Sequence, residues 1–249
     1  MMISKTNTIK TLCTLSFTTT NNYEKNLQTL LELIDQAPKE SIVIAPEVCL
    51  TSFDYDHFDA AANFSLVATK ELLQSSMGKT VVLTMLEKDE QGDVHNRLKV
   101  FHNGEIIHQR TKVRLFRLGG EHKYMQEGSD EAFEIIEVDG VKLAMFICYE
   151  LRFKELWQKS EGADVIAVSA WWGKPRSEHF ASLTQALAIM NQCYVVASDS
   201  MNEECTGLSG VITPQGSVQR NGNSSCLVQP YSKKEVVLMR RYLDVGIKC

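Results

Sequence analysis

The chain has 249 residues, 44% of them apolar and 23% charged, and carries a formal net charge of −5. That balance suits a packed core and excludes a disordered or fibrous chain. The negative charge repels a phosphate backbone, so nucleic acid is not an expected partner, and no run approaches the roughly 20 apolar residues of a membrane span.

From the start, residues Ile9 to Phe17 form an apolar run of strand type. From Tyr23 to Gln36, residues Leu27, Leu30, Leu31 and Ile34 recur at i, i+3, i+4, i+7, which predicts a helix with one apolar stripe. It joins the first strand to a second at Ser41 to Ala45. A further strand is predicted at Thr80 to Leu86. Beyond it EKDEQGDV and HNGE separate alternating runs, and Asn103-Gly104 signals a tight antiparallel hairpin. After Gly140 the pattern alternates again. Strands at Val141 to Ile147, Asp164 to Ser169 and Cys193 to Ala197 are separated by the helix-like LRFKELWQKS and by a helix from about Glu178 to Asn191. From Leu208 onward short strands surround Pro214-Gln215-Gly216 and Asn221-Gly222-Asn223, and the tail has no assigned structure. No linker or repeat divides the chain, so one α/β domain, a mixed sheet covered by helices, is expected over residues 1–249.

The seven cysteines are odd in number and form no close C-x-x-C pair, and the start MMISKTNTIKTLC lacks an uninterrupted apolar core. A secreted disulfide framework is therefore disfavoured, and a reduced cytoplasmic protein is expected.

Three residues stand at strand ends. In FICYELRF, Cys148 follows an apolar strand and precedes a helix-like segment, a place where backbone N–H groups favour a thiolate or an oxyanion. A buried cysteine is otherwise a small apolar filler. In SIVIAPEVCL, Pro46 ends the strand and Glu47 follows, so a desolvated carboxylate with a raised pKa, usable as a general base, competes with a solvated loop acid. In HQRTKVRLF, alternation places Arg110, Lys112 and Arg114 on one strand face. Those cations need anionic partners or water, giving either an edge strand with a wet face or a lysine aimed at developing negative charge.

Glutamate, lysine and cysteine in that order, within IAPEVCLTSFDY, HNRLKVFHNGEIIHQRTKVRLF and VKLAMFICYELRFKELW, resemble the nitrilase superfamily of carbon–nitrogen hydrolases. GADVIAVSAWW and HFASLTQALAIMNQCYVVASD extend the resemblance over nearly the whole chain. It implies a single-domain α-β-β-α sandwich, commonly paired into a homodimer or a higher homo-oligomer. By the same resemblance Glu47 is the general base, Lys112 stabilises the transition state and Cys148 is the nucleophile, with no metal or organic cofactor. Glu121 in GGEHKYMQEG matches an additional acid, although a loop acid beside His122 and Lys123 is the alternative and Glu127 lies close by. The implied reaction is hydrolysis of a small amide through a cysteine thioester, of the omega-amidase or deaminated-glutathione-amidase kind. N-carbamoyl amine or amino acid hydrolysis, and a non-catalytic interaction module on the same fold, are the alternatives.

Candidate pocket residues are Tyr149, Trp171, Trp172 and Arg176. Two adjacent tryptophans on an extended segment face opposite ways, so at most one of them is expected in the pocket. Arg176 either meets a substrate carboxylate or lies exposed near Glu178. YELRF stands where Y-D-L-R-F is more frequent, TQALAIMNQ replaces an arginine-rich helix, and ASDSMN replaces an asparagine-containing loop. A metal site built from His95, His102, His108 and the scattered cysteines lacks zinc-type spacing.

Overall fold

The computed structural model describes residues 9–247, so Cys249 and the ends of the expected 1–249 domain lie outside the described residues. The first half of the chain builds one sheet. Its elements in order are β1 (Thr11–Leu15), α1 (Tyr23–Gln36), β2 (Ser41–Ile44), α2 (Phe58–Ser75), β3 (Thr80–Lys88), β4 (Val94–His102) and β5 (Glu105–Thr111). A second sheet follows through β6 (Ile136–Val138), β7 (Val141–Ile147), α3 (Lys154–Lys159), β8 (Val165–Ala170), α4 (Ser177–Asn191), β9 (Tyr194–Asp199), β10 (Gly210–Ile212) and β11 (Val218–Arg220). Then β12 (Cys226–Pro230) returns to the first sheet, and α5 (Lys233–Tyr242) closes the described chain.

Both sheets have six strands, ordered β12-β1-β2-β3-β4-β5 and β11-β10-β9-β8-β7-β6. Strands β1, β2 and β3 run parallel, as do β7, β8 and β9, while the remaining pairs are antiparallel. Period-2 alternation separates the two faces of the first sheet. Cys13, Val43, Ala45, Val81 and Leu83 pack outward against Leu30 and Ile34 of α1 and Phe64, Ala68 and Leu72 of α2. Leu12, Ile42, Ile44, Val82 and Leu98 point the other way, into a core shared with the second sheet, whose far side is covered by Phe180, Leu187 and Ala188 of α4. The result is the expected α-β-β-α sandwich. Polar side chains cross between the sheets where β1 meets β9: Thr14 Oγ1 donates to the Ala197 carbonyl and Ser16 Oγ to the Asp199 carbonyl, each at 2.8 Å. Such bonds satisfy carbonyls that lie away from water.

Local signals explain several boundaries. The Asn22 side chain caps α1 by accepting from the Lys25 N–H. The β4–β5 turn holds Asn103 at φ 50° and Gly104 at φ 87°, the left-handed pair a two-residue hairpin requires. Helix α2 was not expected; β10, β11 and β12 are the short strands expected around Pro214-Gln215-Gly216 and Asn221-Gly222-Asn223, and the unassigned tail contains α5. Among the described residues no helix is long and apolar enough to cross a membrane. His95 meets Asp89, His102 meets Thr80 and His108 faces Glu134, so the three histidines have separate partners.

Because β5 runs in the same direction as β3, the carboxyl ends of β2, β5, β7, β8 and β9 emerge at one end of the sandwich. The polar residues of interest gather there, as expected for a crevice beyond the carboxyl ends of parallel strands.

Candidate active site

Glu47 lies three residues past β2 and is fully buried. Its backbone N–H donates to the Ala170 carbonyl at 3.2 Å, which ties the end of β2 to the end of β8. Its Oε1 accepts from Asn96 Nδ2 and Lys112 Nζ, both at 2.8 Å, and its Oε2 from the Trp171 N–H at 3.1 Å. Burial pushes the carboxyl pKa above its ordinary value, the Lys112 charge draws it back, and the Glu121 charge pushes it up again. The desolvated carboxylate is therefore the observed state, and the solvated loop acid is not.

Lys112 sits one residue beyond β5 rather than within it. The strand ends at Thr111 because the next peptide leaves the ladder, with the Lys112 carbonyl accepting from Gly128 N–H at 2.8 Å. The ammonium is fully buried and donates to Glu47 Oε1 and Glu121 Oε1, each at 2.8 Å. Burial opposes its charge, but the two carboxylates outweigh burial and hold it protonated well above the usual lysine range. Glu121, in a short 3-10 turn (Glu121–Lys123), fixes its other oxygen on the Phe116 N–H at 2.9 Å. Glu127 instead accepts from the Leu115 N–H, so Glu121 is the acid at the lysine. The three cations of HQRTKVRLF each have acidic partners: Arg110 meets Glu150, Lys112 meets Glu47 and Glu121, and Arg114 meets Asp130.

Cys148 directly follows β7 and opens a 3-10 turn (Cys148–Arg152). The expected helix does not begin there: α3 starts only at Lys154 and has six residues, so its dipole is small. Cys148 holds φ at 44°, a left-handed conformation that costs a non-glycine residue about 1–3 kcal/mol and persists only where the surroundings enforce it. Cys148 is 8% exposed, its Sγ lies 3.6 Å from the Trp171 carbonyl, and the Glu47 carboxylate is near enough for its charge to act on the thiol. Burial first, then the Glu47 charge, raise the thiol pKa well above its ordinary value, against the pull of Lys112. That shift favours the protonated thiol over the thiolate.

The thiol opens into a narrow cleft lined by Phe116, Tyr149, Arg152, Trp171, Trp172 and Arg176. Both tryptophans line it. The expectation of one pocket and one core tryptophan holds in part: Trp172 is 3% exposed within the core yet also borders the cleft, its N–H held by Asp199 Oδ1 at 2.8 Å just past the end of β8 at Ala170. Trp172 also packs on Phe180, and Trp171 meets Phe53 edge-on. Asp199 further accepts from Thr206 and Gly207, and burial pushes its carboxyl up to about 7 against those donors. Arg176 is not paired with Glu178. Its guanidinium lies 5.2 Å from the Phe116 ring centre, as that of Arg152 lies 4.8 Å from Trp172.

Sequence reasoning did not single out Asn96, Arg152, Phe53, Tyr55 or Tyr124. Phe53 stands 5.9 Å from Lys112 Nζ, and Tyr55 stacks on Tyr124 at 4.1 Å beside it, forming an aromatic wall. The cluster of aromatic residues in TSFDY was the available signal. Asn96→Ala removes a donor to the Glu47 carboxylate, and bonds to charged groups contribute about 1.5–3 kcal/mol. Turnover is expected to fall about tenfold or more, measured as steady-state kcat.

Comparisons with known proteins agree with this architecture. The family described as carbon–nitrogen hydrolase matches residues 11–225. The 2-oxoglutaramate amidase of Bacillus subtilis (strain 168) is 33% identical over 191 residues, covering 73% of each chain. A deaminated glutathione amidase of Escherichia coli O157:H7 is 27% identical, covering 80% of this chain and 81% of its own. Among solved structures, Saccharomyces cerevisiae Nit3, a member of the nitrilase superfamily, superposes with a TM-score of 0.84 at 20% identity, covering 98% of each chain.

Proposed function

Because the chain belongs to the carbon–nitrogen hydrolase family, we propose that it hydrolyses the terminal amide of a small dicarboxylic acid, with Cys148, Glu47 and Lys112 carrying the reaction and Glu121 holding the lysine. The carrying observation is that Cys148, Glu47 and Lys112 are all buried at one point, with Lys112 Nζ 2.8 Å from Glu47 Oε1 and the Trp171 backbone touching both the thiol and the Glu47 carboxylate.

In this reading Glu47 takes the thiol proton as Sγ forms a bond to the amide carbon. The carbonyl electrons move onto oxygen, where the Lys112 ammonium and the Tyr149 N–H receive the developing charge. Collapse breaks the carbon–nitrogen bond, and Glu47 returns its proton to the departing ammonia or amine. A water deprotonated by Glu47 then hydrolyses the thioester and regenerates the thiol. Pairing with Glu121 keeps Lys112 fixed and charged through the cycle, so no proton is lost from the group that must stay cationic.

The acyl end is assigned by charge. Arg152 and Arg176 line the Cys148 cleft, and among the described residues neither forms an ion pair. A substrate carboxylate would supply the missing anion. Arg176→Ala is expected to lower kcat/KM for an omega-amide bearing a free carboxylate by roughly 10–100-fold, the size of a lost charge-assisted contact. An uncharged amide of equal length should change little, and equal losses on both would contradict the assignment. Ammonia release from omega-amides, carbamoyl amines and carbamoyl amino acids tests the class. Omega-amides should turn over, and turnover of carbamoyl compounds alone would favour the carbamoyl reading.

The six described cysteines are free thiols, which supports a cytoplasmic setting. Exposed Ile189 and Met190 near the end of α4 and exposed Leu238 and Tyr242 on α5, on helices whose ends meet where Gln192 donates to the Leu243 carbonyl, support pairing of two copies. Light scattering is expected to give twice the 28.0 kDa chain mass.

A further inference from the structure

We propose that Glu150 and Arg110 are positioning residues that lock the two sheets together at the catalytic end and thereby set the geometry between Cys148 and Lys112. The proposal rests on the assignment of those two residues to the reaction.

Lys112 comes from the first sheet and Cys148 from the second, so the site exists only if the sheets hold a fixed relation there. Glu150 is 0% exposed and sits at the junction. Its Oε1 accepts from Arg110 Nη1 at 2.9 Å and from the Val113 N–H at 2.7 Å. Its Oε2 accepts from Arg110 Nη2 and from the Ile147 N–H, both at 2.7 Å. Val113 follows Lys112 and Ile147 precedes Cys148, so one carboxylate grips the main chain one residue from each.

Arg110 repeats the connection with opposite polarity. It donates to the Met145 carbonyl at 2.7 Å on the second sheet and to the Thr111 carbonyl at 3.2 Å on the first. The fork matches the carboxylate two-to-two, a geometry with directional as well as electrostatic content. The grip also explains how Cys148 keeps its positive φ: the peptide before it is anchored by Glu150 Oε2, and the Glu150 carbonyl accepts from the Phe153 N–H at 3.1 Å beyond it. Neither side chain touches the cleft, so their effect is on placement.

Misplacement by about 1 Å costs a reaction on the order of 10²-fold. Glu150→Gln keeps the shape, but its NH₂ must face an N–H donor and Arg110 loses its counter-charge. We expect kcat to fall about 10²-fold with KM within about threefold and an unchanged acid limb of the pH profile, since Glu150 moves no proton. Glu150→Asp, which keeps the charge, should recover part of the loss. Alkylation of Cys148 by iodoacetamide, followed by peptide mass, should slow at least tenfold in Glu150→Gln. If Glu150→Gln fails to fold, Arg110→Lys keeps the charge while losing the fork, and the same losses are expected. Folded Glu150→Gln or Arg110→Lys with kcat and alkylation within twofold of the parent would overturn the proposal. A parent that turns over no amide overturns the functional reading instead, and alkylation then decides the positioning proposal alone.

Discussion

Cys148→Ala is expected to reduce ammonia release by roughly 10⁴-fold or more, with thermal stability nearly unchanged. The substitution deletes one sulfur from a side chain that is 8% exposed and otherwise leaves the surrounding packing in place. Removing one such buried atom costs at most about 1.5 kcal/mol. Glu47, Lys112 and the cleft remain, so the residual rate would measure what charge stabilisation and binding achieve without a covalent route. Steady-state assay of the folded variant checks this, and retained turnover would exclude a thioester path through Cys148.

Glu47→Gln is expected to lower kcat by about 10²–10⁴-fold, the usual range for losing a positioned general base. The amide is close in shape to the carboxylate but cannot accept the thiol proton. Wherever its NH₂ points it opposes a donor, because Asn96 Nδ2 and Lys112 Nζ address one oxygen and the Trp171 N–H the other. The pH dependence carries a second signature. Burial holds the Glu47 carboxyl above the ordinary carboxylate range, against the Lys112 charge. The active form is the ionised one, so kcat/KM should decline as pH falls through that raised value, at a higher pH than for an exposed glutamate. In Glu47→Gln this acid limb should vanish. A limb that persists unchanged would assign it to another group.

Much of this site was legible in the sequence, because strand ends announce themselves. Val141 to Ile147 reads as an apolar run that stops at Cys148, and β7 has those bounds. The Tyr23–Gln36 helix follows from its leucine spacing, and Asn103-Gly104 from the φ angles its turn demands. What escaped lacked a local signal. Helix α2 is preceded by His57, which makes no capping side-chain bond, and it exposes Leu66 and Val67 beside its buried Phe64 and Ala68, which blurs its apolar stripe. HQRTKVRLF alternates smoothly through Lys112, although the strand stops one residue earlier when the Lys112 carbonyl turns to Gly128. The partners of its cations depend on distant segments: Glu150 is 40 residues from Arg110 and Glu47 is 65 from Lys112. The doubling of the sheet was equally out of reach of strand patterns alone, since a strand covered on both faces looks the same whether the cover is helix or sheet.

The central claim is that Cys148 carries the acyl group. Rapid acid quenching of the protein during turnover of an omega-amide, followed by intact and peptide mass measurement, tests it most directly. The expected product is a hydroxylamine-sensitive adduct equal to the substrate less ammonia, confined to the peptide containing Cys148 and absent from Cys148→Ala. An acyl group on another cysteine, or turnover with no adduct on Cys148 at any quench time, would contradict the account.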